Sequence, residues 1–242
     1  MWDGGNFRLS TTDVATHIQW TGTIAAKLPA GSNFTIELGH NGNGNIEVSY
    51  CVFYKNKLRG SHLPLNQVSS KTANTKCKQW MVERPEATTV PIEYVKPIGT
   101  GTNMWPSNYT SYVYTDDCIT TDPLGKFFQT ANIRDSFMHV SHTFTHQDEN
   151  AATYSDVVKE ITWNQKWLTQ IGFDKAKWFS GKGIIPPAIT GLHNGDALRA
   201  WKENGIVQVV GDNTRPALLN TVNSLLLKTN FLFYFEIERT NW

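Results

Sequence analysis

The sequence predicts an α/β protein built on parallel strands and preceded by a β-rich segment. Three observations carry that reading. From about residue 105 strand-like and helix-like runs alternate, and a strand–helix–strand–helix–strand series implies parallel pairing through crossover helices. One run, "TYSDVVKEITWNQKWLTQIGF", sets Val157, Val158, Ile161, Leu168 and Ile171 near one face of a helix that Gly172 stops. The first sixty residues, by contrast, read as strands and turns.

Taken in order, "FTIELGH" alternates Phe34, Ile36 and Leu38 against Thr35, Glu37 and Gly39, the period of a strand. The loop "GHNGNGN" is either a wide turn or a backbone platform beside a ligand, with His40 and Asn41 at its mouth. "NIEVSYCVFY" is again rich in β-formers, and residues 60 to 105 form a polar, Pro-punctuated connection. "SYVYTDD" then predicts a short strand ending on Asp116 and Asp117. "SFMHVSHTFTH" predicts a second strand running into His142 and His146. After the long helix come a strand and loop, "GIIPPAITGLHNG", a short helix, "DALRAWKENG", ending at Gly205, and a buried strand, "GIVQVVGDN". The tail from residue 218 lacks a clear period and is more apolar than an isolated terminal segment should be. It reads as a final helix and strand or, on balance, as a segment outside the natural domain.

Composition excludes some classes. The 242 residues carry 22 basic and 21 acidic side chains, so no basic face invites a nucleic-acid polyanion. Cys51, Cys77 and Cys118 are too few for a disulfide scaffold, and no CxxC pair suggests a zinc ribbon; one Cys51–Cys77 bridge is open, leaving Cys118 free. Asn33 in "NFT" and Asn108 in "NYT" are glycosylation sequons, which points to the extracellular space or the cell surface. The opening "MWDGGNFRLS" is not a signal peptide, so a secreted protein of this sequence is expected to be a fragment. Lys228, Asn230 and Glu236 interrupt the last apolar run, which predicts no membrane span.

The chemistry gathers at two strand ends. Active sites of parallel α/β folds form at the C-terminal ends of the strands. Adjacent acids there point to opposite sides, so one reaches a metal while the other faces a neighbouring pocket. His142 and His146, four residues apart, would share one side of a helical turn. An Asp–His–His set favours Zn²⁺, with Co²⁺, Ni²⁺ or Fe²⁺ as alternatives. Such an ion lowers the pKa of bound water to roughly 7 and polarises a carbonyl, leaving Asp116 to act as general base. Taken singly, an acid pair is more often a turn or cap, and an HxxxH more often an exposed pair. Their joint occurrence carries the metal reading.

"TDDC" followed by "SHTFTH" resembles the first two motifs of the NodB-type polysaccharide deacetylases, TFDDG and H(S/T)xxH. "NFTIELGHNGNGNIE" and "SHTFTHQDENAATYSD" are similar, more narrowly, to the fungal galactosaminogalactan deacetylases, over residues 1 to 217. The resemblance implies a distorted, incomplete (β/α) barrel and metal-dependent removal of N-acetyl groups from N-acetylhexosamine, with N-acetylgalactosamine favoured. It makes Asp116 the base and Asp117, His142 and His146 the metal ligands. An amino-sugar polysaccharide is the expected partner. His40, Asn41 and Asn43 are candidate substrate contacts, as are Thr143 and Thr145, whose loop would offer backbone N–H groups to an oxyanion. Residues 1–104 become a β-rich segment and connection, 105–217 the deacetylase core and 218–242 an atypical tail.

The sequence departs from the motifs at four places, one of them the Phe missing before the acid pair. Cys118 stands where the family has Gly, and Ile185 in "IIPPAITG" stands where an Arg orients the base. Arg199 and Arg215 are weak substitutes. No late histidine follows residue 217, which leaves His193 either as the candidate general acid or, the plainer reading, as an exposed loop histidine. Trp105, Tyr109 and Tyr112 are candidates for stacking on sugar, though most of them read as core, and Trp163 and Trp167 read as packing residues. The alternative function is a carbohydrate-binding or cell-surface protein with a catalytically inert metal site.

Overall fold

The computed structural model describes residues 10–43, 82, 89–112, 114, 116 and 123–212. The "NIEVSYCVFY" strand, Cys51, Cys77, Cys118, Asp117, Arg215 and the tail from 218 lie outside the described residues.

The first described element is a helix where strands and turns were expected. Helix α1, Thr11–Ala25, is opened by a capping box: the Ser10 hydroxyl accepts from Asp13 N–H and the Asp13 carboxylate accepts from Ser10 N–H. Thr16, Thr21 and Thr23 turn their hydroxyls back onto carbonyls four residues earlier. Val14 is its buried contact with the core.

Among the described residues the sheet has four strands in chain order, all parallel: β1, Glu37–His40; β2, Met138–Ser141; β3, Phe179–Ile184; and β4, Gln208–Val209. Two short helices, α2 (Pro123–Phe128) and α3 (Ala131–Arg134), precede β2. Helix α4, Tyr154–Ile171, joins β2 to β3, and α5, Gly195–Glu203, joins β3 to β4. Parallel strands joined by helices are the expected α/β architecture. Ser111, Tyr112 and Tyr114 are not in a strand, contrary to expectation. Side chains tether them instead, through Tyr112 Oη to Gln170 and Tyr114 Oη to Asn43. The last strand is also less buried than its apolar run suggested. Among the described strands it lies at the end of the order, and Val207 and Val210 are 46% and 43% exposed.

Helix α4 is the central layer, capped by Thr153 and closed by Gly172 at φ 88°. Trp163, Trp167, Leu168 and Ile171 enter a cluster with Phe128, Phe137, Phe144 and Phe173. Val157 and Ile161 enter another with Ile184, Leu198, Trp201 and Ile206. One helix therefore fastens both halves of the core. Among the described residues, no helix is long and apolar enough to cross a membrane.

Candidate functional site

The register brings three strand ends level. His40 pairs with Ser141, and Ser141 with Ile184 after an irregularity at Val140/Ser141. The next residues along each chain are Asn41, His142 and Ile185, at the C-terminal edge of the sheet. His142 N–H donates to the His40 carbonyl, and Ile185 N–H to the Ser141 carbonyl. Gly39 makes this approach possible: a Cβ there would lie 3.2 Å from His142 Cβ and 3.1 Å from Ile185 Cδ1.

His142 and His146 do meet, but not on a helical turn. Residues 142–146 form a loop in which Thr143 and His146 are left-handed, with φ of 66° and 61°. This loop folds back until the two imidazole centroids are 4.7 Å apart, at 70° to each other. His142 Nδ1 lies 2.7 Å from the Ile185 carbonyl. A carbonyl only accepts, so Nδ1 carries the proton and Nε2 keeps its lone pair. Burial lowers the His142 pKa, with the Ile185 bond opposing it, so the neutral form that a metal requires is favoured. Two imidazoles so placed fit a divalent ion. Their predicted third ligand, Asp117, lies outside the described residues.

Asp116 is held against helix α4. Its carboxylate accepts from Gln170 Nε2 at 2.7 Å, on the last turn of α4. Thr145, beside His146, is fastened to Glu160 on the same helix. Ten residues of helix separate those anchors, about 15 Å of axial rise. Among the described residues, which do not include Asp117, no three His, Cys, Asp or Glu side chains gather as a ligand set.

The expected substrate contacts are corrected by burial. His40, placed at a loop mouth by its Gly/Asn surroundings, is 5% exposed and stacks 4.4 Å from Phe173. Its Nε2 is 2.9 Å from His139 Nδ1. Asn41 is also buried and donates from Nδ2 to the carbonyls of His142 and Thr143, bracing the histidine loop. Asn43 exchanges bonds with the backbone of Val82 and accepts from Tyr114 Oη. Thr143 is fully buried and its N–H faces Ser141 Oγ, while the Thr145 N–H is taken by Glu160. Those two amides are therefore committed inside the protein. Trp105, Tyr109 and Tyr112 pack on Trp163; Trp105 is buried in the core, and the two tyrosines are half-buried against it. Trp163 and Trp167 are packing residues, as expected.

His193 lies half-buried in the loop from β3 to α5, with a buried Nδ1 that has no partner among the described residues. Where an Arg was sought, Ile185 contributes its carbonyl to His142. Arg199 instead stacks its guanidinium 4.0 Å from the Tyr154 ring centre. Sequence reasoning missed Ile185, Glu160 and Asn164 as organisers. For Glu160 and Asn164 the spacing 156, 160, 164 on α4 was the available hint; nothing in the sequence pointed to the Ile185 carbonyl.

Residues 1–231 match the family model described as the Agd3 deacetylase domain. Among solved structures, the chain is similar to the crystal structure of "Agd3 a novel carbohydrate deacetylase", at 47% identity and a TM-score of 0.75. That match covers 90% of this chain and 30% of the other, so the chain spans under a third of that protein. No curated protein matches.

Proposed function

Since the chain belongs to the Agd3 deacetylase family, we propose that it is a metal-dependent deacetylase of an extracellular polysaccharide, removing N-acetyl groups from N-acetylhexosamine units, with galactosaminogalactan the favoured substrate. The observation that carries this reading is the pairing of His142 and His146 at the strand ends, with Nδ1 of His142 fixed by Ile185. The parallel sheet is read as part of a distorted (β/α) barrel, whose C-terminal rim is where such a pair belongs.

His142 and His146 would hold a zinc ion, with Asp117 as the third ligand. When bound, that ion supplies a more acidic water and a polarised acetamide carbonyl. The residues of the chain supply the rest. Asn41 and Ile185 keep the histidines in position. His193, with its unpartnered Nδ1, is the proposed donor of a proton to the departing amine. The base role of Asp116 is carried by the "TDDC" motif and not by its present contact with Gln170. The extracellular assignment rests on Asn33 and Asn108, whose side chains are both exposed.

The test is acetate release from a partly acetylated galactosamine polymer, with and without chelator, beside an Asp116→Asn variant whose zinc is counted. Release that needs metal, and a fall of at least about 100-fold in Asp116→Asn with zinc retained, is expected. A folded, zinc-loaded protein that binds polymer but releases no acetate would favour a carbohydrate-binding protein with an inert metal site.

A further inference from the structure

Helix α4 buries a row of polar side chains that its amphipathic pattern does not require. Asp156, Glu160 and Asn164 follow one another at intervals of four and are all fully buried. Such burial is unfavourable unless each group is hydrogen-bonded. Each of them takes backbone N–H groups from a different segment. Asp156 accepts from Met104 and Trp105. Asn164 accepts from Gly42 and donates to the His40 carbonyl and Ser141 Oγ. Glu160 alone of the three touches the histidine loop: Oε2 accepts from Thr145 N–H at 2.7 Å, and Oε1 accepts from the Thr145 hydroxyl.

That placement has a consequence for His146. Thr145 is the residue before it, and His146 holds a left-handed backbone that side chains seldom adopt. A carboxylate with two acceptors, gripping both the amide and the hydroxyl of Thr145, fixes the peptide from which the His146 backbone departs. We propose that Glu160 is a positioning residue for the His142–His146 pair, setting the direction of the His146 imidazole from inside the core. The proposal rests on the metal reading of that pair. It adds a residue outside the ligand set, acting through Thr145.

The test uses the full chain with four variants. Glu160→Met keeps the length of the side chain and removes both acceptors. Glu160→Gln can still accept from the Thr145 amide and donate to its hydroxyl. Asp156→Leu removes a comparable buried anchor one turn away. Thr145→Val removes the hydroxyl bond from the loop side. Two quantities are read: Co²⁺ affinity from the visible absorption of the bound ion, and the imidazole ¹H–¹⁵N signals of His142 and His146 without metal.

Glu160→Met is expected to weaken Co²⁺ binding by about 10–100-fold and to move the His146 signals. Glu160→Gln should stay close to wild type. Asp156→Leu should lower the melting temperature yet leave the Co²⁺ spectrum and the His146 signals in place. Equal losses in Asp156→Leu and Glu160→Met would reduce Glu160 to a structural residue and overturn the proposal. So would unmoved His146 signals in Glu160→Met. If Glu160→Met does not fold, Thr145→Val decides: a shifted His146 signal with weaker Co²⁺ binding supports the proposal, and unchanged values overturn it. Failure of the wild type to bind Co²⁺ sinks the metal reading separately, and the metal-free imidazole signals still decide the part played by Glu160.

Discussion

His40 and His139 illustrate what burial does to a titratable residue. His139 Nε2 lies 2.8 Å from the Arg134 carbonyl, so it carries the proton there. Its Nδ1 is then the acceptor for His40 Nε2–H, and both rings are neutral. Burial, with the neighbouring imidazoles of His139 and His142, holds His40 well below its ordinary 6.5. Burial also lowers His139. Unfolded histidines still titrate near 6.5, so below that pH the unfolded chain binds more protons than the folded one. Stability therefore falls as pH falls, by up to about 1.4 kcal/mol per pH unit for each histidine. Above about pH 7 the pair contributes no slope. Urea unfolding at pH 7.5, 6.5 and 5.5 checks this, and His139→Phe should flatten the dependence. A stability that stays level from 7.5 to 5.5 would mean the imidazoles are not held neutral.

At the scale of the element, α4 does two jobs with one helix. Its apolar residues join two core clusters, while its buried polar row ties down the ends of β1 and β2. Asn164→Ala would strip partners from the Gly42 amide, the His40 carbonyl and Ser141 Oγ together. The expected loss is about 3 kcal/mol, the size of one or two buried polar groups left unpaired. Chemical denaturation measures it. A loss below about 1 kcal/mol would show that those backbone groups find other partners.

Across the whole molecule, the long connection before residue 105 is tied to the second core cluster by charge. Lys96 Nζ lies 2.5 Å from Asp196 Oδ2, and both side chains are almost completely buried. Gly99 N–H donates to the same oxygen, and Lys96 also pairs with Asn194 through the backbone. Removing one partner leaves a buried charge alone, so Lys96→Met should lose about 3–5 kcal/mol. Lys96→Met/Asp196→Leu should recover part of that loss. A double variant less stable than the single one would show that the pair itself, and not the stranded carboxylate, sets the cost.

The sequence by itself determined the parallel α/β order, the long helix with its Gly172 stop, the strand leading into His142 and the family to which the chain belongs. These are local or repeating signals: apolar periodicity, a glycine beyond a helix, two motifs of fixed spacing. It misjudged α1 because Thr-rich residues look like strand formers until their hydroxyls are seen bonding back along the helix. It read His40, Asn41 and Asn43 as a ligand edge because Gly and Asn mark any tight turn. Only the tertiary structure could place His40 and Asn41 inside and tie Asn43 to Val82 and Tyr114, since burial depends on what packs over a loop from far along the chain. Only it could set Asp116 against Gln170, and Glu160 beneath Thr145. A carboxylate on a helix reads as solvated until a loop descends onto it, and that contact joins residues whose spacing in the sequence carries no periodic signal.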